Sequence, residues 1–318
     1  MRRFVSGILA AILVLGCGQS RKNNKPAAPT TRDFPLVEVP VMITEPQERL
    51  EWLAIHMWDR FTDTGKLYYS DSLTLNGVPV KDLEGQMGVF ATLLQDMPIV
   101  TGQSVVLDWY NKLDAFQRAF PESQMLPKMV GITTKYLYDP NSPVRNEDLY
   151  LPFVKALSES PLIDPDYRAR YAWDARNCAL NQTGSIASDF TFIDTAGKRR
   201  TLHSIKAQRL LLIFGNPDCT ACKEIVETLE GVPELQSLID GGELKVVDIF
   251  IDEEIDLWKS KIPSYPSKWI NGYDPYYIIR GDKLYNIRAV PSVYLLDEDK
   301  RVLLKDCPTE RIFPAILN

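Results

Sequence analysis

Asn216-Pro217-Asp218-Cys219-Thr220-Ala221-Cys222-Lys223-Glu224 is the stretch on which the reading of this chain turns. Ahead of it, residues 210–214 (Leu-Leu-Leu-Ile-Phe) form an apolar run long enough for a buried strand and too short for a helix. Behind it, Cys222, Ile225, Val226 and Leu229 recur at helical spacing until Gly231 and Pro233 end the run. The two cysteines therefore fall at a strand-to-helix junction, on the first turn of the helix. Unpaired backbone N–H groups and the helix dipole both favour negative charge there, so a thiolate is stabilised at this place.

A lone C-x-x-C also serves as half of a zinc site. No second pair exists, and the only histidines, His56 and His203, sit at no ligand spacing from it, so a metal is not expected. Haem attachment needs a histidine after Cys222, where Lys223 stands. Further along, Val290-Pro291 opens the apolar run Ser292-Val293-Tyr294-Leu295-Leu296, a place where a strand tolerates proline because no ladder bond is lost. Strand, C-x-x-C helix, strand, then Val-Pro-strand-turn-strand resembles the extracytoplasmic thiol–disulfide oxidoreductases of the TlpA/ResA type. Residues 184–190 (Gly-Ser-Ile-Ala-Ser-Asp-Phe), with Gly197-Lys198 and Leu202, are similar to the N-terminal hairpin of that family.

The resemblance covers about residues 183–318 and implies an α/β thioredoxin fold. It implies that Cys219 is the nucleophile, that Cys222 resolves the mixed disulfide, and that Val290–Pro291 is a cis bond facing the cysteines. It also implies that the Val290 backbone binds substrate as an added strand. The Cys219–Cys222 disulfide is then the only redox group needed, with no separate cofactor. Asp218 replaces the aromatic residue common before the first cysteine, Thr220-Ala221 lacks the usual proline, and Ile213 stands where thioredoxins carry a buried acid. These positions tune the potential, so reductant and oxidant both stay open. Glu224 and Asp248 are nearby candidates for proton transfer, read as solvated or edge residues. Peroxiredoxin chemistry is disfavoured, because the Pro-x-x-x-Thr/Ser-x-x-Cys pattern is missing before Cys219.

The N-terminus places this chemistry. Arg2-Arg3 precede the apolar run 4–15, which suits a signal segment better than a membrane span and ends in Val14-Leu15-Gly16-Cys17. That ending resembles the lipobox of bacterial lipoproteins, in which cleavage before the cysteine leaves Cys17 to take the lipid. Residues 1–16 are read as signal peptide and 17–33 as lipidated cysteine and tether, anchoring a periplasm-facing protein to a membrane of the envelope. Loss of Arg2 and Arg3 takes the formal charge from −6 to −8, which argues against nucleic acid as a partner. The expected partners are protein thiols and disulfides of the envelope. Of five cysteines, Cys178 and Cys307 are left over. Outside the cytoplasm they can form a structural disulfide, or each can stay a small buried thiol.

Residues 34–180 read as an all-α domain preceding a thioredoxin-like domain at 181–318. Leu50, Leu53, Ala54, Met57, Trp58 and Phe61 form one helical stripe, and Thr44 with Gln47 suggests a capping box. Met87, Phe90, Leu93, Leu94 and Met97 form a second, and Val106, Trp109, Tyr110, Leu113 and Phe120 a third. The string His56-Met57-Trp58-Asp59-Arg60-Phe61 resembles the start of a domain of unknown function that often precedes thioredoxin modules in bacterial lipoproteins. A second function class stays open: a non-catalytic binding lipoprotein whose helical domain recognises a partner and whose thioredoxin module is scaffold.

Overall fold

The computed structural model describes residues 31–317. The expected signal segment, Cys17 and the expected tether up to residue 30 lie outside the described residues. The first half is helical: α1 (Pro46–His56), a short hairpin of β1 (Thr74–Leu75) and β2 (Val78–Pro79), then α2 (Val80–Gln95), α3 (Ile99–Ala119), α4 (Met125–Leu137), α5 (Glu147–Glu159) and α6 (Pro165–Cys178). The apolar stripes bury as expected, with Trp58 packed on Trp109 at 4.5 Å between ring centroids. The indole N–H of Trp109 donates to the Thr133 hydroxyl, so this large side chain is buried without stranding its polar atom.

Local signals account for the helix starts, with one correction. Asn146 caps α5 by accepting from the Leu149 N–H, and Asp164 caps α6 ahead of Pro165. The capping box expected from Thr44 and Gln47 does not form. Glu45 holds the cap position without a side-chain bond, and Pro46 opens α1. Proline needs no donor at that position, which leaves one fewer N–H to satisfy. In the hairpin, Asn76 and Gly77 both have positive φ, a turn that favours these two residue types.

The second half is one seven-stranded sheet. In chain order come β3 (Thr191–Asp194), β4 (Arg199–Thr201), β5 (Arg209–Gly215), α7 (Thr220–Gly231), α8 (Pro233–Gly241), β6 (Leu244–Phe250), α9 (Ile255–Lys261), β7 (Ile270–Tyr273), α10 (Ile278–Gly281), β8 (Ser292–Asp297), β9 (Val302–Lys305) and α11 (Thr309–Leu317). The strand order is β4-β3-β7-β6-β5-β8-β9. β5, β6 and β7 run parallel, while β8 lies antiparallel on the far side of β5. The central β5 is buried on both faces, which explains its unbroken apolar run. Leu211 and Ile213 face α7, α8 and α11, whereas Leu210, Leu212 and Phe214 pack with Phe190, Phe192 and Tyr285.

Residues Thr31–Asn318 form one compact unit containing both halves. Each half keeps its own apolar core, and the seam between them is polar and charged. Cys178 belongs to the helical core and Cys307 to the sheet core, and both are free buried thiols. The disulfide allowed from the cysteine count is therefore not formed: α6 and the segment after β9 deliver the two sulfurs to different apolar layers. Burial pushes both thiols upward from their ordinary value, the direction expected of inert core cysteines.

Candidate active site

The C-terminal end of β5 delivers residues 216–219 into a tight turn. The Cys219 N–H donates to the Asn216 carbonyl, and the Asp218 N–H to the Asn216 side chain. Asn216 is itself held by Asp252 beyond β6, at 2.7 Å, and Asp252 pairs with Arg280 of α10. Cys219 is the cap of α7, its sulfur accepting the Cys222 N–H at 3.3 Å. It stands half-buried, 3.6 Å from the Val290 carbonyl oxygen. The Val290–Pro291 bond is cis, as the resemblance implies. Two stretches far apart in sequence thus meet at one sulfur.

Cys222 lies one turn into α7, buried, with its thiol pushed up chiefly by that burial. Both cysteines are free thiols, so the pair is described as a dithiol. Asp218, an exposed residue, faces Lys261 at 3.5 Å.

The structure corrects the placement of Asp248. It is not an edge residue but fully enclosed, on β6 directly beside Ile213 of β5. A Cβ built on Gly215 would lie 3.0 Å from the Asp248 Oδ1 and 3.7 Å from the Cys222 Sγ. A side chain there would crowd the acid, and glycine leaves both the acid and the resolving sulfur close to this point of the backbone. Glu224, the other candidate for proton transfer, is exposed on α7.

Burial pushes the Asp248 carboxyl up to about 7. Between its ordinary value and about 7 the folded protein holds a proton that the unfolded chain releases, so stability falls as pH rises through that window. Asp248→Asn removes this penalty. It is expected to stabilise the protein at pH 8 by at most about 4 kcal/mol, with little effect at pH 4. Denaturant unfolding at the two pH values checks this, and an equal gain at both would contradict it.

The seam reaches the same site from the other side. Residues 286–291 lead into the cis bond and are gripped by the helical half. Asn286 donates to Glu147 at 2.8 Å, and the Arg288 guanidinium contacts Glu147 at 2.6 Å and Asp306 at 2.8 Å. Arg288 also stacks over the Tyr138 ring. Lys305 of β9 completes the group, 3.1 Å from Glu147, 3.5 Å from Asp148 and donating to the Cys178 carbonyl. Glu147 and Asp148 occupy the first turn of α5, where the helix dipole favours carboxylates. Burial drives the Glu147 carboxyl upward against the pull of Lys305 and Arg288. No sequence signal marks this network, because its two sides, 138–178 and 286–306, are more than a hundred residues apart.

Residues 16–178 match the family described as "Domain of unknown function (DUF5106)", just over half of the chain. The chain belongs to this family. A thioredoxin-like protein from Bacteroides caccae ATCC 43185, a crystal structure, is similar over both halves. It is 31% identical, with a TM-score of 0.77 over 91% of this chain and 99% of that one. The C-terminal domain of an uncharacterized protein from Bacteroides fragilis NCTC 9343 is 37% identical, covering 43% of this chain and 99% of that one at a TM-score of 0.42. The thioredoxin domain of a thiol-disulfide oxidoreductase from Bacteroides vulgatus is 21% identical, covering 43% of this chain and 99% of that one at a TM-score of 0.38. No curated protein matches the chain. The architecture expected from sequence, an all-α domain of unknown function ahead of an α/β thioredoxin fold, is the one found.

Proposed function

We propose that this DUF5106 protein is a thiol–disulfide oxidoreductase, anchored in the bacterial envelope through lipid on Cys17 and acting on protein disulfides there. One observation carries the reading: the Cys219 sulfur caps α7 within 3.6 Å of the Val290 carbonyl, with Cys222 buried one turn behind it. A half-exposed sulfur on a helix N-terminus can attack, and a buried one within the same turn can only resolve.

In the reducing direction the Cys219 thiolate attacks one sulfur of a substrate disulfide. The substrate S–S bond breaks, its second sulfur leaves as thiolate and takes a proton, and a mixed disulfide with Cys219 remains. Cys222 then loses its proton, attacks the Cys219 sulfur and expels the substrate's first sulfur. Two electrons have passed to the substrate, and the Cys219–Cys222 disulfide awaits a dithiol donor of the envelope. The oxidising direction is the same sequence reversed. Asp248 is the acceptor we assign to the Cys222 proton, since a carboxyl near 7 can take and return it at neutral pH.

Equilibrating the full chain against graded ratios of reduced and oxidised dithiothreitol is expected to give one two-electron transition. It is read as the loss of two alkylatable thiols, mapped by mass to Cys219 and Cys222. Cys219 staying alkylatable at every ratio would overturn the reading.

A further inference from the structure

We propose that the helical domain supplies one wall of the substrate groove, and that this groove selects an extended polypeptide carrying Lys or Arg beside its cysteine. The inference rests on the oxidoreductase reading and specifies its substrate class. A groove of about 440 Å³ opens beside Val290 and Pro291. Its near side is α7 and α11, contributing Glu224, Glu310 and Phe313, and its far side is the loop after α4, contributing Pro140 and Pro143. Its volume suits a short segment of chain rather than a folded surface. It is continuous with the Val290 backbone, beside which the Cys219 sulfur lies.

The loop is held as a wall, not left as a flap. The Asn146 N–H donates to the Leu137 carbonyl across its base, and Ser142 donates to the Tyr136 carbonyl. Arg145 reaches over to the Asp306 carbonyl at 3.0 Å. Two prolines restrict the loop further, lowering the entropy lost when a chain is clamped against it.

Charge decides what the groove accepts. Arg145, the one lining cation, is committed to the Asp306 and Ser142 carbonyls, and Asp306 is committed to Arg288. The exposed charged side chains of the lining are Glu224 and Glu310, both carboxylates. A basic side chain next to the substrate cysteine meets these two carboxylates on α7 and α11, whereas an acidic one is repelled.

Two heptapeptides with a central cysteine capped as the mixed disulfide with thionitrobenzoate test this, one flanked by lysines and one by glutamates. Release of the chromophore by the reduced full chain gives kcat/KM for each. The lysine peptide is expected to react about fivefold faster at low salt, the scale of two exposed charge contacts, with the ratio shrinking in high salt. In Glu224→Gln/Glu310→Gln the ratio is expected to fall near one. In Glu48→Gln/Glu159→Gln, which has the same net charge but lies away from the groove, it is expected to persist. Replacing Pro140 and Pro143 by glycine is expected to raise KM for both peptides relative to free dithionitrobenzoate. Equal rates for the two peptides, or a preference untouched by the groove substitutions, would overturn the inference. Inertness toward dithionitrobenzoate itself would instead sink the oxidoreductase reading beneath it.

Discussion

Cys219→Ser is expected to reduce disulfide exchange to the uncatalysed background, a loss of at least about a thousandfold. Thiolate is the attacking species, and a serine hydroxyl at the same helix cap stays protonated at neutral pH. The fold should survive, because oxygen can still accept the Cys222 N–H that the sulfur accepts. Cys222→Ser is expected to behave differently. Attack proceeds, resolution does not, and a mixed disulfide on Cys219 accumulates, visible as a covalent adduct that dithiothreitol removes. Residual exchange in Cys219→Ser, or adducts on Cys178 or Cys307, would contradict the assignment. Those two thiols are buried in separate cores.

Glu147→Ala is expected to destabilise the whole unit by about 3–5 kcal/mol, because it leaves Arg288 and Lys305 buried without their shared carboxylate. For a chain of this size that lowers the melting temperature by roughly 5–8 °C. Glu147→Gln keeps an acceptor for Asn286 and is expected to lose less. Because Arg288 leads directly into Val290–Pro291, both variants should also slow peptide exchange, and more in kcat/KM than the stability loss explains at temperatures where the protein is folded. A thermal melt and an exchange assay on the same preparation check the two effects. Unchanged stability in Glu147→Ala would show that solvent enters the seam and compensates the cations.

Legibility in the sequence followed the range of the signal. The β5 run, the C-x-x-C and the start of α7 are contiguous, so apolar period and helix-start chemistry are enough to read them. Val290-Pro291 is readable as a proline opening an apolar run, and its place opposite the cysteines follows from the resemblance. β7 is hidden in the sequence: Ile270-Asn271-Gly272-Tyr273 neither alternates nor runs apolar, and it sits in an aromatic-rich stretch with Trp258, Tyr265, Trp269, Tyr276 and Tyr277. The hairpin at Asn76-Gly77 carried a usable turn signal that the helical stripes around it masked. Asp248 was misread because its burial comes from neighbouring strands and from α7, not from its own segment. Glu147 looks in sequence like any acid at a helix start, and only the return of β9 gives it a second meaning.

That return has a consequence for how the chain is made. Arg145 and Asp306 are separated by 161 positions, and Lys305 joins Glu147 and Asp148 over a similar span. During synthesis the helical half emerges first, with two carboxylates at the head of α5 and no cation yet available to cover them. They must stay hydrated until the last strands leave the ribosome, so the face of α5 that carries them cannot dry early. The seam can close only after residues 286–288 and β9 have been made, because Asn286, Arg288 and Lys305 are the partners of Glu147. A chain cut short before Lys305 therefore lacks both the last cation of the seam and the anchor of its own active site. Truncated products would be marked as incomplete by exposed charge rather than by exposed grease.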